Sequence, residues 1–202
     1  MPAPEPLRMR KKRQTRERIV DEALRLFAER GIEGTTADHI AAAADVSRRT
    51  FFRYFARKED VVVEWKRQGA EAVRAAVAAR PADEPPLTAV HHALAQIVER
   101  YQPDADTVLG LIRLIESSPA LRARKSEGEY PSWESSIAEE VAARLGVDPE
   151  TDLRPRLVAQ LGMAILSTAV ETWIARGGRG DVAPLLDEAF EAAAGELAAP
   201  IA

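Results

Sequence analysis

The sequence predicts an all-helical fold on three observations. The chain has 202 residues, 46% apolar but only 5% aromatic, and much of the apolar share is alanine, which favours packed helices over sheet. Apolar residues recur at helical spacing through most of the length. Pro and Gly punctuate those stretches, and no segment holds the period of two that a strand requires. The expectation is an N-terminal three-helix unit followed by a C-terminal helical domain, about nine helices in all.

Residues 1–9 are rich in proline and read as disordered. Arg8, Arg10, Lys11, Lys12, Arg13, Arg16 and Arg18 follow, either a solvated basic tail or an arm that tracks phosphates or a minor groove. A first helix carries Ile19, Ala23, Leu24 and Phe27 and gives way to Gly31 and Gly34-Thr35. Thr36 is a good N-cap for the run Ala37–Ala43. Asp45 and Val46 break that run, and Asp tolerates the left-handed backbone of a tight corner. Ser47 then caps a second short helix, Arg48–Phe55. Phe51 and Phe55 lie four apart on that helix and face inward, while Arg48, Arg49, Thr50, Arg53 and Tyr54 project elsewhere. A capped, arginine-led helix after a helix and a tight turn is how a helix-turn-helix enters a major groove.

Charge agrees once the chain is divided. The net charge of −4 separates into +4 for residues 1–60 and −8 for the remainder, so the basic end is the one that phosphate attracts. Arg48 and Arg49 are the candidate base readers, because arginine pairs bidentately with guanine. Thr50 suits a thymine methyl or a phosphate.

Thr36, Ile40-Ala41, Ala44, Val46-Ser47, Phe52, Tyr54-Phe55 and Lys58-Glu59 stand at the spacing of the tetracycline-repressor (TetR) family's DNA-binding domain. The chain resembles that family over roughly residues 13–60. The resemblance implies domains at 13–60 (DNA binding) and 61–202 (effector binding and dimerisation), preceded by a disordered basic arm, 1–12. It implies DNA contacts from Thr36, Ser47, Arg48, Arg49, Thr50, Phe52, Arg53, Tyr54 and Lys58, with Thr36, Tyr54 and Lys58 holding the phosphate backbone. Three positions depart from the family pattern. Asp45 stands where the turn usually has Gly, Phe52 where Tyr is usual, and Arg57 where Ser or Asn precedes the lysine.

Beyond Lys58 the spacing predicts a long helix, Glu59 to about Ala79, ended by Pro81 and then Pro85-Pro86. Joining the basic end to the rest, it is the natural lever between them. Helices are expected over Leu87–Tyr101, Ala105–Ser117, Pro119–Gly128, Pro131–Leu145, Leu153–Arg176 and Asp181–Ala199. The last two have more apolar surface than one core needs, since Leu153, Leu157, Leu161, Ile165 and Thr168 already supply a stripe for the monomer's own core. Leu166, Val170, Trp173, Leu186 and Phe190 are therefore candidates for a dimer face, as in the family's two-fold bundle; the bland alternative is that they complete the monomer core. A dimer also suits a palindromic operator.

The C-terminal region resembles, less specifically, regulators that take fatty-acyl thioesters, including mycofactocin-type ones. Leu109, Ile112, Arg113, Trp133, Ile137 and Leu166 are the effector-pocket candidates. Arg113 lies in an otherwise apolar helix and needs a partner, either a carboxylate such as Glu116 or Glu171 or an anionic ligand head. Arg122, Arg124 and Lys125 could meet thioester phosphates or simply face solvent.

With no cysteine there is no disulfide or thiol nucleophile. His39, His91 and His92 lack metal-site spacing, and no catalytic motif appears. No enzyme, cofactor or metal is expected. Without an apolar run near 18 residues or a signal-peptide core, a cytoplasmic protein with no membrane partner is expected. The function implied is a ligand-responsive repressor; the alternative is a DNA-binding activator or architectural protein without a small-molecule effector.

Overall fold

In the computed structural model, residues 6–102, 108–111, 114, 117–119, 121 and 132–198 are described. Among them every regular element is helical. Two compact units are present: Met1–Arg67 with Thr107–Tyr130, and Gln68–Asp106 with Pro131–Ala202. The division is not the contiguous one expected at residue 60. A later segment returns to the first unit, and the boundary at 67 falls inside a helix.

The first unit holds α1 (Leu7–Arg30), α2 (Ala37–Ala43), α3 (Arg48–Tyr54) and the start of α4 (Asp60–Ala78). Pro6 stands at the α1 N-cap, a place where its missing N–H costs nothing. Arg8, Arg10, Lys11 and Lys12, expected in a disordered arm, are thus exposed residues of the first turns of α1. Ile19, Val20, Ala23, Leu26 and Phe27 form its buried stripe. They pack with Ile40, Phe51, Phe55, Val61 and Val62 into one core, which also takes Leu111 and Leu121. Leu111 lies in the otherwise apolar stretch around Arg113, but spacing says nothing of which core receives it.

The α1–α2 corner depends on two residues. A Cβ on Gly34 would lie 2.4 Å from the Arg30 carbonyl oxygen, so only glycine fits. Thr35 is fully buried, and its hydroxyl donates to the carbonyl of Gly31 (2.9 Å) or Leu26 (3.2 Å), which satisfies a polar group that burial would otherwise penalise.

The second unit contains the remainder of α4 with α5 (Pro86–Tyr101), α6 (Trp133–Leu145), α7 (Leu153–Ala175) and α8 (Ala183–Ala198). Its core joins Val73, Val77, Val90, Leu94, Ile97, Ile137, Val141, Ile165, Leu186 and Phe190. At Gly162 a Cβ would stand 2.6 Å from Val90 Cγ1, so α7 and α5 meet at the distance only a glycine permits. Arg144 closes the α4–α5 corner: Nη1 donates to Arg80 O (3.1 Å) and Nη2 to the carbonyls of Pro81 and Glu84. Ser132 caps α6 by accepting from Ser135 N, and Gly146 ends it in the left-handed region.

Two expectations about the last helices need correction. Trp173, Leu186 and Phe190, offered as a dimer face, are buried within the single chain. Leu186 and Phe190 belong to the second core, and the Trp173 indole N–H donates to Gly180 O at 2.9 Å. Helical spacing shows that a face is covered, not by what. Conversely, Leu153 and Leu157, assigned to the monomer core, are 72% and 48% exposed. Helix α7 has 23 residues with a mean hydropathy of 1.4 over its most apolar 18-residue window, enough to cross a membrane by length and composition, yet only 28% of that window is buried.

Candidate nucleic-acid interface

Helix α2 begins in a reciprocal cap. The Thr36 hydroxyl accepts from His39 N (3.2 Å), and His39 Nδ1 accepts from Thr36 N (3.4 Å). Two orphan donors of the first turn are thereby satisfied. The helix ends as the turn chemistry requires. Asp45 has φ of 50°, Asp45 N donates to Ala42 O and Val46 N to Ala41 O. That pair of bonds is a Schellman motif with Asp45 at the left-handed position. Its carboxylate-bearing Cβ is tolerated there, which is how the chain makes the corner without the usual glycine.

Ser47 then accepts from Thr50 N at 3.0 Å and caps α3. Phe51 and Phe55 anchor the helix in the first core with ring centroids 5.8 Å apart. Arg48, Arg49 and Arg53 are left exposed, with Thr50 half-buried beside them. Arg49 has no acidic partner among the described residues. Arg53 lies over the Tyr54 ring, 5.5 Å from its centroid. Phe52 is 43% exposed and packs edge-on to Phe51. Tyr54 is half-buried against the core.

Two residues have structural roles that sequence did not reveal. The Lys58 ammonium donates to Ile32 O (2.6 Å) and Thr35 O (3.0 Å), which ties the start of α4 to the α1–α2 corner. Only part of its donor capacity is left for a phosphate. Arg16, expected in a free basic stretch, donates Nη2 to Glu64 at 2.8 Å and covers Phe55 at 5.1 Å. Glu64 is buried and also accepts from Arg67 Nη2 at 2.7 Å. Burial opposes ionisation of Glu64, but the hydrogen bonds from Arg67 and Arg16 prevail and hold its carboxyl below the usual range. No residue pattern signals these contacts, because their partners lie 26 and 48 positions apart.

The effector candidates divide between the two units and the residues outside the described ones. Ile112 and Arg113, with Glu116, Arg122, Arg124 and Lys125, lie outside the described residues. Leu109 belongs to the first unit, and Trp133, Ile137 and Leu166 to the second. There Ile137 is fully buried, with Trp133 and Leu166 packed on the same core. The indole of Trp133 lies in a notch of α4, where a Cβ on Gly69 would be 2.9 Å from Nε1. Leu166 and Val170, the remaining dimer candidates, are half-buried. His91 and His92 face carboxylates: His91 Nε2 is 2.7 Å from Asp187, and His92 Nδ1 is 2.7 Å from Glu84. Glu84, held chiefly by the Arg80 guanidinium, is depressed to about 2.

Known proteins agree with this geometry. Residues 19–65 match the DNA-binding domain of the tetR family of bacterial regulatory proteins, and residues 84–198 match the MftR C-terminal domain. The HTH-type transcriptional regulator TcmR of Streptomyces glaucescens is 38% identical over 200 residues, covering 95% of this chain and 86% of that protein. A Mycobacterium tuberculosis protein named as a mycofactocin biosynthesis transcriptional regulator, MftR, is 29% identical over 82% of each chain. Thermus thermophilus FadR, a TetR-family repressor solved with lauroyl-CoA, superposes with a TM-score of 0.60 at 27% identity, over 93% of this chain and 97% of that one. Bacillus subtilis FadR, solved with stearoyl-CoA, shares the fold at a TM-score of 0.61 and 19% identity, over 87% and 95% of the two chains. The helix-turn-helix, the all-helical C-terminal region and these matches have one reading: the chain belongs to the tetR family of DNA-binding transcriptional regulators, with an MftR-type C-terminal domain.

Proposed function

We propose that this regulator is a repressor that binds a palindromic operator as a homodimer in the cytoplasm and leaves it when a small apolar ligand binds. The observation that carries the DNA reading is α3. Buried Phe51 and Phe55 fix one side, and Arg48, Arg49, Thr50, Phe52 and Arg53 point away from the core. On DNA, Arg48 and Arg49 read bases, while Thr36, Ser47, Tyr54 and Lys58 set register on the backbone.

The dimer is supported by α7, whose uncovered apolar length calls for a partner face. With Trp173, Leu186 and Phe190 inside the monomer and Leu166 packed on the same core, that face centres on the exposed Leu153 and Leu157. Two copies related by a two-fold axis read two half-sites.

For the effector, a long-chain acyl thioester is the candidate, on the strength of the lauroyl-CoA complex of the 27% identical FadR. Trp133 is the residue through which such a ligand reaches α4. Displacing its indole from the Gly69 notch pushes on the helix that runs from the second unit into the first. A ligand releases DNA only by binding the DNA-incompetent form more tightly, and about 1.4 kcal/mol of preference shifts the balance tenfold.

Selection of duplexes from a random pool, followed by titration of the selected complex with lauroyl-CoA, tests the whole reading. An inverted repeat should be enriched and lauroyl-CoA should release it. Enrichment of a single half-site removes the dimer. Failure of lauroyl-CoA to release DNA or to raise the melting temperature removes the acyl effector and leaves the DNA reading intact.

A further inference from the structure

The two arginines that open α3 are held differently, and the difference assigns a role to a residue of the other helix. Arg49 is exposed, with no acidic partner among the described residues. Arg48 Nη1 donates to Asp38 Oδ2 of α2 at 2.6 Å, and its guanidinium lies over Phe52, 5.5 Å from the ring centroid. The pair is exposed on both sides, 66% for Arg48 and 55% for Asp38, so it adds little to stability. Its effect is on conformation. One nitrogen is pinned by a carboxylate and one face is covered by a ring. The edge formed by Nε and Nη2 has no protein partner among the described residues, and two parallel N–H donors are what the O6 and N7 of guanine accept.

We propose that Asp38 is a positioning residue for base readout: from α2 it holds the Arg48 guanidinium on the Phe52 ring so that its Nε–Nη2 edge meets one guanine in the major groove. The inference rests on the DNA-binding reading of α3. It assigns the apolar ring of Phe52 a use that the missing phenol hydroxyl does not provide. It also separates the two arginines: Arg48 binds with its rotamer already chosen, whereas Arg49 must order on contact. Immobilising a rotamer-rich side chain in advance is worth about two- to tenfold in binding. Asp38 also carries a negative charge on the helix-turn-helix surface, so its removal should leave binding to random DNA unchanged or slightly tighter.

The test is duplex selection from a random pool with the full-length wild-type protein, Arg48→Ala, Asp38→Ala, Asp38→Asn and Asp38→Glu, with thermal midpoints as a folding control. Arg48→Ala should erase the preference at one base pair of each half-site. Asp38→Ala and Asp38→Asn should weaken the preference at that same pair by about two- to tenfold, with random-DNA affinity held or raised, and Asp38→Glu should restore it. Three results overturn the proposal. They are full preference at the Arg48 position in Asp38→Ala, an equal loss of affinity on every sequence in Asp38→Ala, and an unchanged base preference in Arg48→Ala. If the wild-type protein enriches no sequence at all, the DNA reading itself fails, a result distinct from the other three.

Discussion

Arg49 in the first unit and Arg144 in the second are the same side chain in opposite conditions. Arg144 is laid against backbone carbonyls at the end of α4, both of its terminal nitrogens donating within the unit. Arg49 is exposed on a short helix anchored by Phe51, with no acidic partner among the described residues. Arg80 and Arg154 repeat the first pattern on Glu84 and Asp152, and the Arg154 guanidinium depresses Asp152 to about 2. A region's net charge therefore does not say which cations serve a partner. What matters is which donors the fold has already matched. Lys58 and Arg16 show this within the basic unit itself, because both are engaged by the fold.

The largest expected effect separates buried from exposed leucines of the second unit. Leu186→Glu places a charge at a fully buried site and should cost about 3–5 kcal/mol, read as loss of cooperative thermal unfolding. Leu157→Glu, at a site 48% exposed, should change the monomer's unfolding free energy by less than about 0.5 kcal/mol. Sedimentation should show that Leu157→Glu dissociates the dimer; an unchanged dimer would move the interface elsewhere.

Next comes the engaged side of the comparison in the first unit. Glu64→Gln removes the carboxylate that Arg16 and Arg67 share and should cost about 1–3 kcal/mol at neutral pH. The folded carboxyl lies below its ordinary 4.5. Its stabilisation is therefore complete above that value and is lost as pH falls through the folded pKa. Denaturant melts at decreasing pH should show wild type and Glu64→Gln converging below about 4.5.

On the unmatched side, Arg49→Ala should lose about 1–3 kcal/mol on the selected operator and little on random DNA, with no change in melting temperature. Equal losses on both DNAs would remove Arg49 from base readout. Lys58→Ala should behave otherwise, lowering the melting temperature as well as weakening both DNAs, because two carbonyls lose their donor.

The smallest effect is at the corner. Asp45→Gly removes the cost of a left-handed non-glycine residue but frees the unfolded chain, and the two nearly offset, leaving a gain of under about 1 kcal/mol by thermal melting.

These contrasts follow the line between what was legible in the sequence and what was not. The cap at Thr36, the left-handed Asp45, the cap at Ser47 and the inward Phe51 and Phe55 are all local, fixed by residues within four positions of one another. The dimer face was misassigned because Trp173, Leu186 and Phe190 have the same spacing whether a helix of their own chain or a second copy covers them. The Asp38–Arg48 pair crosses the turn, and the Lys58 and Arg16 contacts cross the whole first unit. No periodicity encodes any of them.

Gly162 has a mechanical meaning as well. With Val90 seated in its notch, α7 and α5 are pinned where they cross. Sliding one helix along the other by a single residue would bring a side chain bearing a Cβ into the space Val90 fills. Shear is thus removed from this seam, and α5 and α7 travel together as one plate. A second deep notch, Gly69 on α4 against Trp133, locks α4 and α6 at their own contact in the same way.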